Sequence, residues 1–304
     1  MANRSKVVLA EQENKHRSRL MKAFQSLDNL KDYSLKPEGV WGSKAIIKSG
    51  GVTIDSSQID FEFTVPFDDN LEANEGEIII YNLSDTTIKR LVVKNKLTIE
   101  AGYEGDTGVI FEGYITKRLT KRDGADRATT LKIIDDIGEK KSLNTSFSSG
   151  VTAKYILKNL FNRIPLPTGK FETARDWTYE NDVTIDEPLE SAIKKYAEVC
   201  GVSVFTSGGH IYCCKLKNVA RDGYFLVTED TGMIGSPMPY EETITAEGYE
   251  DIIEGYEIEM LLQHRMSTGA QIKLKSEQYS GTFYVRSGEH IFNESEAKTI
   301  IKVM

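Results

Sequence analysis

From residue 59 to residue 65 the chain alternates: Ile59, Phe61, Phe63 and Val65 are apolar, while Asp60, Glu62 and Thr64 between them are polar. A period of two predicts an antiparallel strand with one buried face, and Pro66 with the acidic residues after it ends that strand. The same period returns at 78–81, at Leu97, Ile99 and Ala101, at 109–115 and at 129–136, separated by glycine-rich or charged turns such as "GYEGDTG" and "KRDGADR". Between the strands at 78–81 and 97–101, Ser84 is placed to cap a short helix and Asp85 sits near its positive end. Ile88, Leu91 and Val92 form the expected inner stripe of this helix, and Asp85, Lys89 and Arg90 point outward.

Other periods flank this block. Leu20, Met21, Phe24, Leu27 and Leu30 are spaced by three and four, behind a stretch crowded with Lys15, Arg17, Arg19 and Lys22. This predicts a basic amphipathic helical arm over residues 1–36. Residues 149–217 change character. "TAKYILKNLFNRI" places Ile156, Leu157, Leu160 and Phe161 on one helical side and is ended by Pro165 and Pro167, while "EPLESAIKKYAEVCG" is a second helix with Pro188 in its first turn and Gly201 at its end. A hairpin around "TSGG" follows, completing a small α/β module. From residue 218 the period is two again, with Tyr256, Ile258, Met260 and Leu262 alternating, then Ile272 and Leu274, then Phe283 and Val285.

The stretches "KNKLTIEAGYEGDTGVIFEGYI" and "TGAQIKLKSEQYSGTFYVRSGEH" share one order: turn, alternating strand, aromatic-plus-glycine turn, aromatic strand broken by glycine. This is a repeat of pattern rather than of identity. The expected architecture is therefore α+β, mainly β. It has an arm over 1–36, a first small antiparallel barrel over 37–148, an α/β module over 149–217 and a second barrel over 218–304.

The chain has 304 residues, 39% of them hydrophobic and 28% charged, enough apolar material for real cores. No stretch approaches the roughly 20 apolar residues of a membrane span, so the expectation is a soluble protein made in a cytoplasm, without membrane contact. Three cysteines, Cys200, Cys213 and Cys214, fit neither a disulfide framework nor a zinc knuckle and read as buried thiols. The net charge of −8 argues against stable nucleic-acid binding.

Chemistry is sparse. No nucleophile elbow, metalloprotease helix, phosphate loop or dinucleotide fingerprint is present. The histidines at 16, 210, 264 and 290 share no metal-ligand spacing, and no cofactor or metal is expected. The acidic pairs Asp68–Asp69, Asp135–Asp136 and Asp186–Glu187 lie at element ends, where solvated carboxylates are ordinary. Trp177 and Tyr179 offer a sugar-stacking pair or, more plainly, core aromatics. From Glu241 to Glu259 there are eight acidic residues and no Lys or Arg. There Glu257 and Glu259 fall on the face opposite Ile258 and Met260, forming either a solvated face or the wall of a passage that repels a polyanion.

The order of "EIIIYNLSDTTIKRL", "LTIEAGYEGDTGVIFEGYITK", "ILKNLF", "ESAIKKYAEVCGVSVFTSGGHIY" and "MLLQHRMSTGAQIKLKSEQYSGTFYVRSGEH" resembles the baseplate hub proteins of bacteriophage contractile tails. That family is shared with contractile bacteriocins and related to the N-terminal part of type VI secretion spike proteins. The likeness runs from near Trp41 to the end; the arm lies outside it. It implies two tube-like barrels per chain and a homotrimer whose six barrels match a sixfold tail tube on one side and a threefold spike on the other. The implied partners are further copies of the chain, the tail tube protein and the central spike protein, with the tape-measure and baseplate wedge proteins as further contacts. The implied location is the virion tail baseplate. Asp85, Lys89 and Arg90 become a candidate subunit interface, and Glu257 and Glu259 a candidate acidic lumen. A structural, non-catalytic role follows. Its rivals are the hub at the tip of a long non-contractile tail and a cell-wall carbohydrate-binding or cleaving module built on Trp177, Tyr179 and nearby carboxylates.

Overall fold

The computed structural model describes residues 30–36, 42–123, 126–135, 142–207, 210–219, 221 and 223–304. The helical stripe from Leu20 to Leu27, His16, Trp41 and Asp136 lie outside them. The strands are Lys31–Asp32 (β1), Ser43–Ser49 (β2), Val52–Asp55 (β3), Phe61–Phe67 (β4), Glu75–Tyr81 (β5), Lys96–Tyr103 (β6), Asp106–Asp123 (β7), Asp126–Ile134 (β8) and Ser142–Phe147 (β9). They continue with Thr168–Phe171 (β10), Val183–Pro188 (β11), Ser203–Ser207 (β12), His210–Cys214 (β13), Gly223–Val227 (β14), Met233–Ala246 (β15), Tyr249–Leu261 (β16), Gln271–Lys275 (β17), Ser280–Phe292 (β18) and Ala297–Val303 (β19). The helices are Asp85–Arg90 (α1), Ala153–Phe161 (α2) and Leu189–Val199 (α3).

The chain is α+β and mainly β. In β4 the alternation read from sequence is the burial observed: Phe61, Phe63 and Val65 are buried and Glu62 and Thr64 are not. The first β body runs in the order β4, β5, β8, β7, β6, β2, β3. It encloses a core that includes Ile47, Ile78, Ile80, Leu97, Ile99 and Leu131, each stabilising the fold by about 1.5–3 kcal/mol through removal from water. α1 closes this core with Leu83 and Leu91, both essentially buried, and with the partly buried Ile88. Val92, expected in the same stripe, is 49% exposed. The helix stops at Arg90 and the capping Leu91 has ψ 77°, so Val92 no longer follows the helical screw that would have turned it inward.

The second β body is built from β14 to β19 around Phe225, Val227, Ile258, Met260, Ile272 and Ile301. It is not wholly antiparallel, since β14 pairs in parallel with β1 and with β17. Residues 30–36, the described end of the expected arm, are not helical: Lys31–Asp32 is a strand and Tyr33 packs against Phe225. The two bodies share one sheet. Along β18 the first half pairs with β17, and Gly288–Phe292 pairs with Phe67–Phe63 of β4 while β19 lies on the other edge. Phe292 stacks on Phe63 at 5.4 Å across this seam. Gly288 permits the close approach, because a Cβ there would stand 2.4 Å from the Ile300 carbonyl and 2.7 Å from the Phe67 ring.

The α/β module has its own core. α2 is capped by Thr152, whose hydroxyl accepts from the Tyr155 N–H at 3.2 Å, and it buries Ile156, Leu157, Leu160 and Phe161. These meet Ile193, Tyr196 and Ala197 of α3 and Ile211 and Cys213 of β13. Pro188, expected within the first turn of α3, occupies its N-cap, where its missing N–H costs nothing.

Candidate assembly surfaces

The outward side of α1 is less free than the sequence implied. Asp85 forms an ion pair with Arg127 at 2.6 Å, and the same guanidinium reaches the Leu83 carbonyl. Arg90 donates to the Gly51 carbonyl at 2.7 Å, and Arg118 donates to the Ile88 and Leu91 carbonyls, satisfying the C-terminal end of the helix. Asp85 and Arg90 thus fasten α1 to its own chain. Lys89 is exposed and has no partner among the described residues.

Glu257 and Glu259 do fall on one face of β16, with Ile258 and Met260 buried on the other. That face is not purely acidic. Glu259 lies 3.0 Å from Lys298 and Glu257 lies 4.0 Å from Lys302, both on β19. Glu259 and then Glu296 raise the Lys298 pKa by hydrogen bonding. A run read along one strand could not show this, because the neutralising lysines are some forty residues later in "AKTIIKV".

The outer half of the β15–β16 hairpin leaves the second body and reaches the α/β module. β15 pairs only with β16, and β16 before Tyr256 pairs only with β15. The tip is held by Arg175, whose guanidinium donates to Asp251 (Nη1–Oδ1 2.7 Å) and to the carbonyls of Val199 and Glu198 at 2.9 Å, and stacks 3.9 Å from the centre of the Tyr249 ring. The bond from Arg175 holds the Asp251 carboxyl below its ordinary range. Trp177 packs edge-on to Tyr249 at 5.8 Å and covers Gly248, where a Cβ would lie 2.3 Å from the indole. Tyr179 instead packs edge-on against Tyr196 in the module core. The two aromatics do not share a sugar-stacking face, and Asp176 and Asp182 beside them accept backbone N–H groups. The Trp177–Tyr249 contact was invisible in sequence because its partners are more than seventy residues apart.

Two polar knots join the bodies elsewhere. Arg286 on β18 lies 3.3 Å from Asp69 and bonds Glu242 at 2.5 Å, and Ser203 of β12 bonds the same Asp69 at 2.5 Å. Asp106 at the start of β7 accepts from Arg265 at 2.9 Å and meets His264 at 3.0 Å. The Arg265 bond lowers the Asp106 pKa to about 2. Asp68, beside Asp69, is shifted the other way, raised by burial.

Among the described residues the cysteines and His290 are buried and His264 is paired with Asp106, rather than gathered around a cleft. Burial pushes the Cys200 and Cys213 thiols up to about 12, so neither is a nucleophile at neutral pH. Burial also lowers the His290 pKa to about 4; its ring lies beside Phe67, with Nδ1 2.9 Å from the Thr299 hydroxyl. Among the described residues no three His, Cys, Asp or Glu side chains cluster to hold a metal. An open cleft of about 660 Å³ is lined by Tyr33, Arg221, Phe225, Arg265 and Gln271. Both of its cations are engaged: Arg221 donates to the Val219, Leu216 and Gly269 carbonyls, and Arg265 binds Asp106.

Comparison with solved structures places this arrangement. A tail protein from Neisseria meningitidis superposes with a TM-score of 0.56 at 10% identity, over 86% of this chain and 96% of its own. The 43 kDa tail protein of prophage MuSo2 from Shewanella oneidensis gives 0.56 at 9% identity, over 86% and 97%. The chain has the fold of these tail proteins. It also matches, with a TM-score of 0.52 at 10% identity over 85% of this chain and 76% of the other, an E. coli type VI secretion component similar to the T4 bacteriophage tail proteins gp27 and gp5. No protein-family model matches the sequence, and no curated protein is similar to it. At such identities the likeness is one of fold, and it agrees with the α+β, mainly β class expected from the sequence.

Proposed function

We propose that the chain is a structural baseplate hub of a phage tail or tail-like particle. In this reading it is a homotrimeric ring that adapts a sixfold tail tube to a threefold central spike. The observation that supports the reading is the match to a tail protein across both β bodies and the α/β module together, over 86% of this chain and 96% of the other. On this reading the chain divides near residues 148 and 217 into two tube-like units flanking the α/β module, with residues 1–36 as an arm. Three copies present six units to the tube, and no catalytic step is required of any residue. The partners are other copies of the chain, the tube and spike proteins, and the tape-measure and wedge proteins around them. The location is the tail baseplate of a virion assembled in a bacterial cytoplasm.

The face carrying Glu257 and Glu259 is the proposed lumen wall, its repulsion of a polyanion moderated by Lys298 and Lys302. Lys89 remains the candidate contact on α1. Electron microscopy of the assembled particle tests the reading: three copies at the tube–spike junction are expected, and a position elsewhere overturns it. The same image separates a contractile from a non-contractile tail by the presence of a sheath. A stable monomer that hydrolyses cell wall would instead favour the carbohydrate module.

A further inference from the structure

Two surfaces carry exposed charges of opposite sign that have no ion-pair partner among the described residues. The first is the outer part of the β7–β8 hairpin. Among the described residues β7 beyond Ile115 has no strand neighbour except β8, so the backbone of residues 116–123 presents an edge that no described strand covers. Lys117, Lys121 and Arg122 stand there exposed, with no carboxylate partner among the described residues. Lys117 is directly opposite Lys132 and Arg122 directly opposite Arg127, pairings that repel. Their partners are neutralised by Glu77 and Asp85, but they themselves are not. Leu119 between them is 41% exposed, and Val92 and Val93 on the adjoining loop are 49% and 43% exposed.

The second surface is the outer half of the β15–β16 hairpin. Its β15 edge is free over 239–246. Glu241 lies directly opposite Glu254, and neither these nor Glu250 has a cation within reach among the described residues. Ile252, between Glu250 and Glu254 on the same face of β16, is 59% exposed. Each free edge is about eight residues long, roughly 26 Å of strand.

We propose that the basic β7–β8 hairpin of one copy docks on the acidic outer half of the β15–β16 hairpin of a second copy. Leu119 and the exposed valines meet the Ile252 face, and Lys117 and Lys121 meet Glu241 and Glu254. The occupant is another copy because one chain carries both surfaces and the charge of each is what the other lacks. The contact is heterologous: every copy offers one surface of each kind, so it propagates and closes into a ring. The like charges within each hairpin also keep either edge from pairing with itself. This inference rests on the ring-forming hub reading and supplies its contact.

The test measures the mass of the full chain by sedimentation across a wide concentration range. The variants are K117E/K121E, E241K/E254K and the fourfold exchange, all at exposed positions, with circular dichroism as the control for folding. The wild type is expected to associate, more weakly as salt rises, and each double variant to lose at least tenfold in affinity. An equimolar mixture of the two double variants and the fourfold exchange should both recover association. Double variants that keep the wild-type mass overturn this contact and leave the hub reading standing. If the wild type is a monomer in isolation, zero-length carbodiimide cross-linking of the assembled particle decides. Lys117 or Lys121 joined to Glu241 or Glu254 of another copy supports the contact. Their absence in a particle with three copies at the junction overturns the contact alone, and their absence with no such copies overturns both readings.

Discussion

The first β body and the outer half of the β15–β16 hairpin are both antiparallel sheet, yet they are held by different forces. In the first body Ile47, Ile78, Ile99 and Leu131 are wholly buried on one face, and many strands share the load. The outer hairpin is fastened by the Arg175–Asp251–Tyr249 clasp, by Trp177 over Gly248 and by Arg286 at Glu242, and shows Glu241, Glu250, Ile252 and Glu254 to solvent. The body is stabilised by non-directional burial that survives small changes in register elsewhere. The hairpin is positioned by a few directional bonds that, when lost, release it without unfolding the rest. The pairing of a rigid body with a separately fastened arm suits a part whose arm meets another copy.

The largest expected effect tests the body. L131A empties a fully buried site among Ile78, Ile80 and Ile133 and is expected to cost about 2–5 kcal/mol, read as a lower urea midpoint for the whole chain. A loss confined to local hydrogen exchange would mean that the body is not one cooperative unit. Next is His290, at the seam where the bodies join. Its folded pKa of about 4 lies below the ordinary value of 6.5, so as pH falls from 6.5 the unfolded chain takes up the proton first. Stability from this group is full above pH 6.5, declines toward pH 4 by roughly 3 kcal/mol, and is level below that. H290Q should flatten this part of the stability–pH curve; an unchanged slope would assign it to other groups. Third, R175M removes the clasp and is expected to cost roughly 1.5–3 kcal/mol locally. Faster hydrogen exchange over residues 240–254 with unchanged protection in β5 and β8 is the expected signature. Equal loss in both regions would erase the distinction drawn above.

How much of this was legible follows the same division. The alternation at Phe61, Phe63 and Val65, the helical stripe of α2 and the capping by Ser84 are local signals, and each predicts the element and face that are found. Val92 was misread because a stripe says nothing about where the backbone stops being helical. The seam between the bodies was not legible: Phe63 and Phe292 meet across more than two hundred residues, and only register makes them neighbours. The intrachain partners of the candidate site residues were hidden for the same reason. Asp85 and Arg90 are exposed as expected, but their partners, Arg127 on β8 and Gly51 in the turn between β2 and β3, are distant in sequence. The acidic run looked uniform, although its inner half is matched by lysines on β19, while in its outer half Arg286 pairs with Glu242 and Arg175 with Asp251, and Glu241, Glu250 and Glu254 have no ion-pair partner among the described residues.

That last contrast gives the smallest expected effect on stability and a sharp one on function. Glu257 and Glu259 are more than a third exposed, and exposed ion pairs of this kind are worth about 0–1 kcal/mol each. E257K/E259K should therefore leave the unfolding free energy within about 2 kcal/mol of wild type. It also puts four lysines, 257, 259, 298 and 302, on one face of two neighbouring strands. If that face lines the passage of a polyanion, repulsion becomes attraction, and DNA delivery by otherwise intact particles should fall sharply. Delivery at the wild-type level would remove this face from the lumen. The outer half, with Glu241, Glu250 and Glu254, would then be the part of the acidic run with a role, and that role would be between copies.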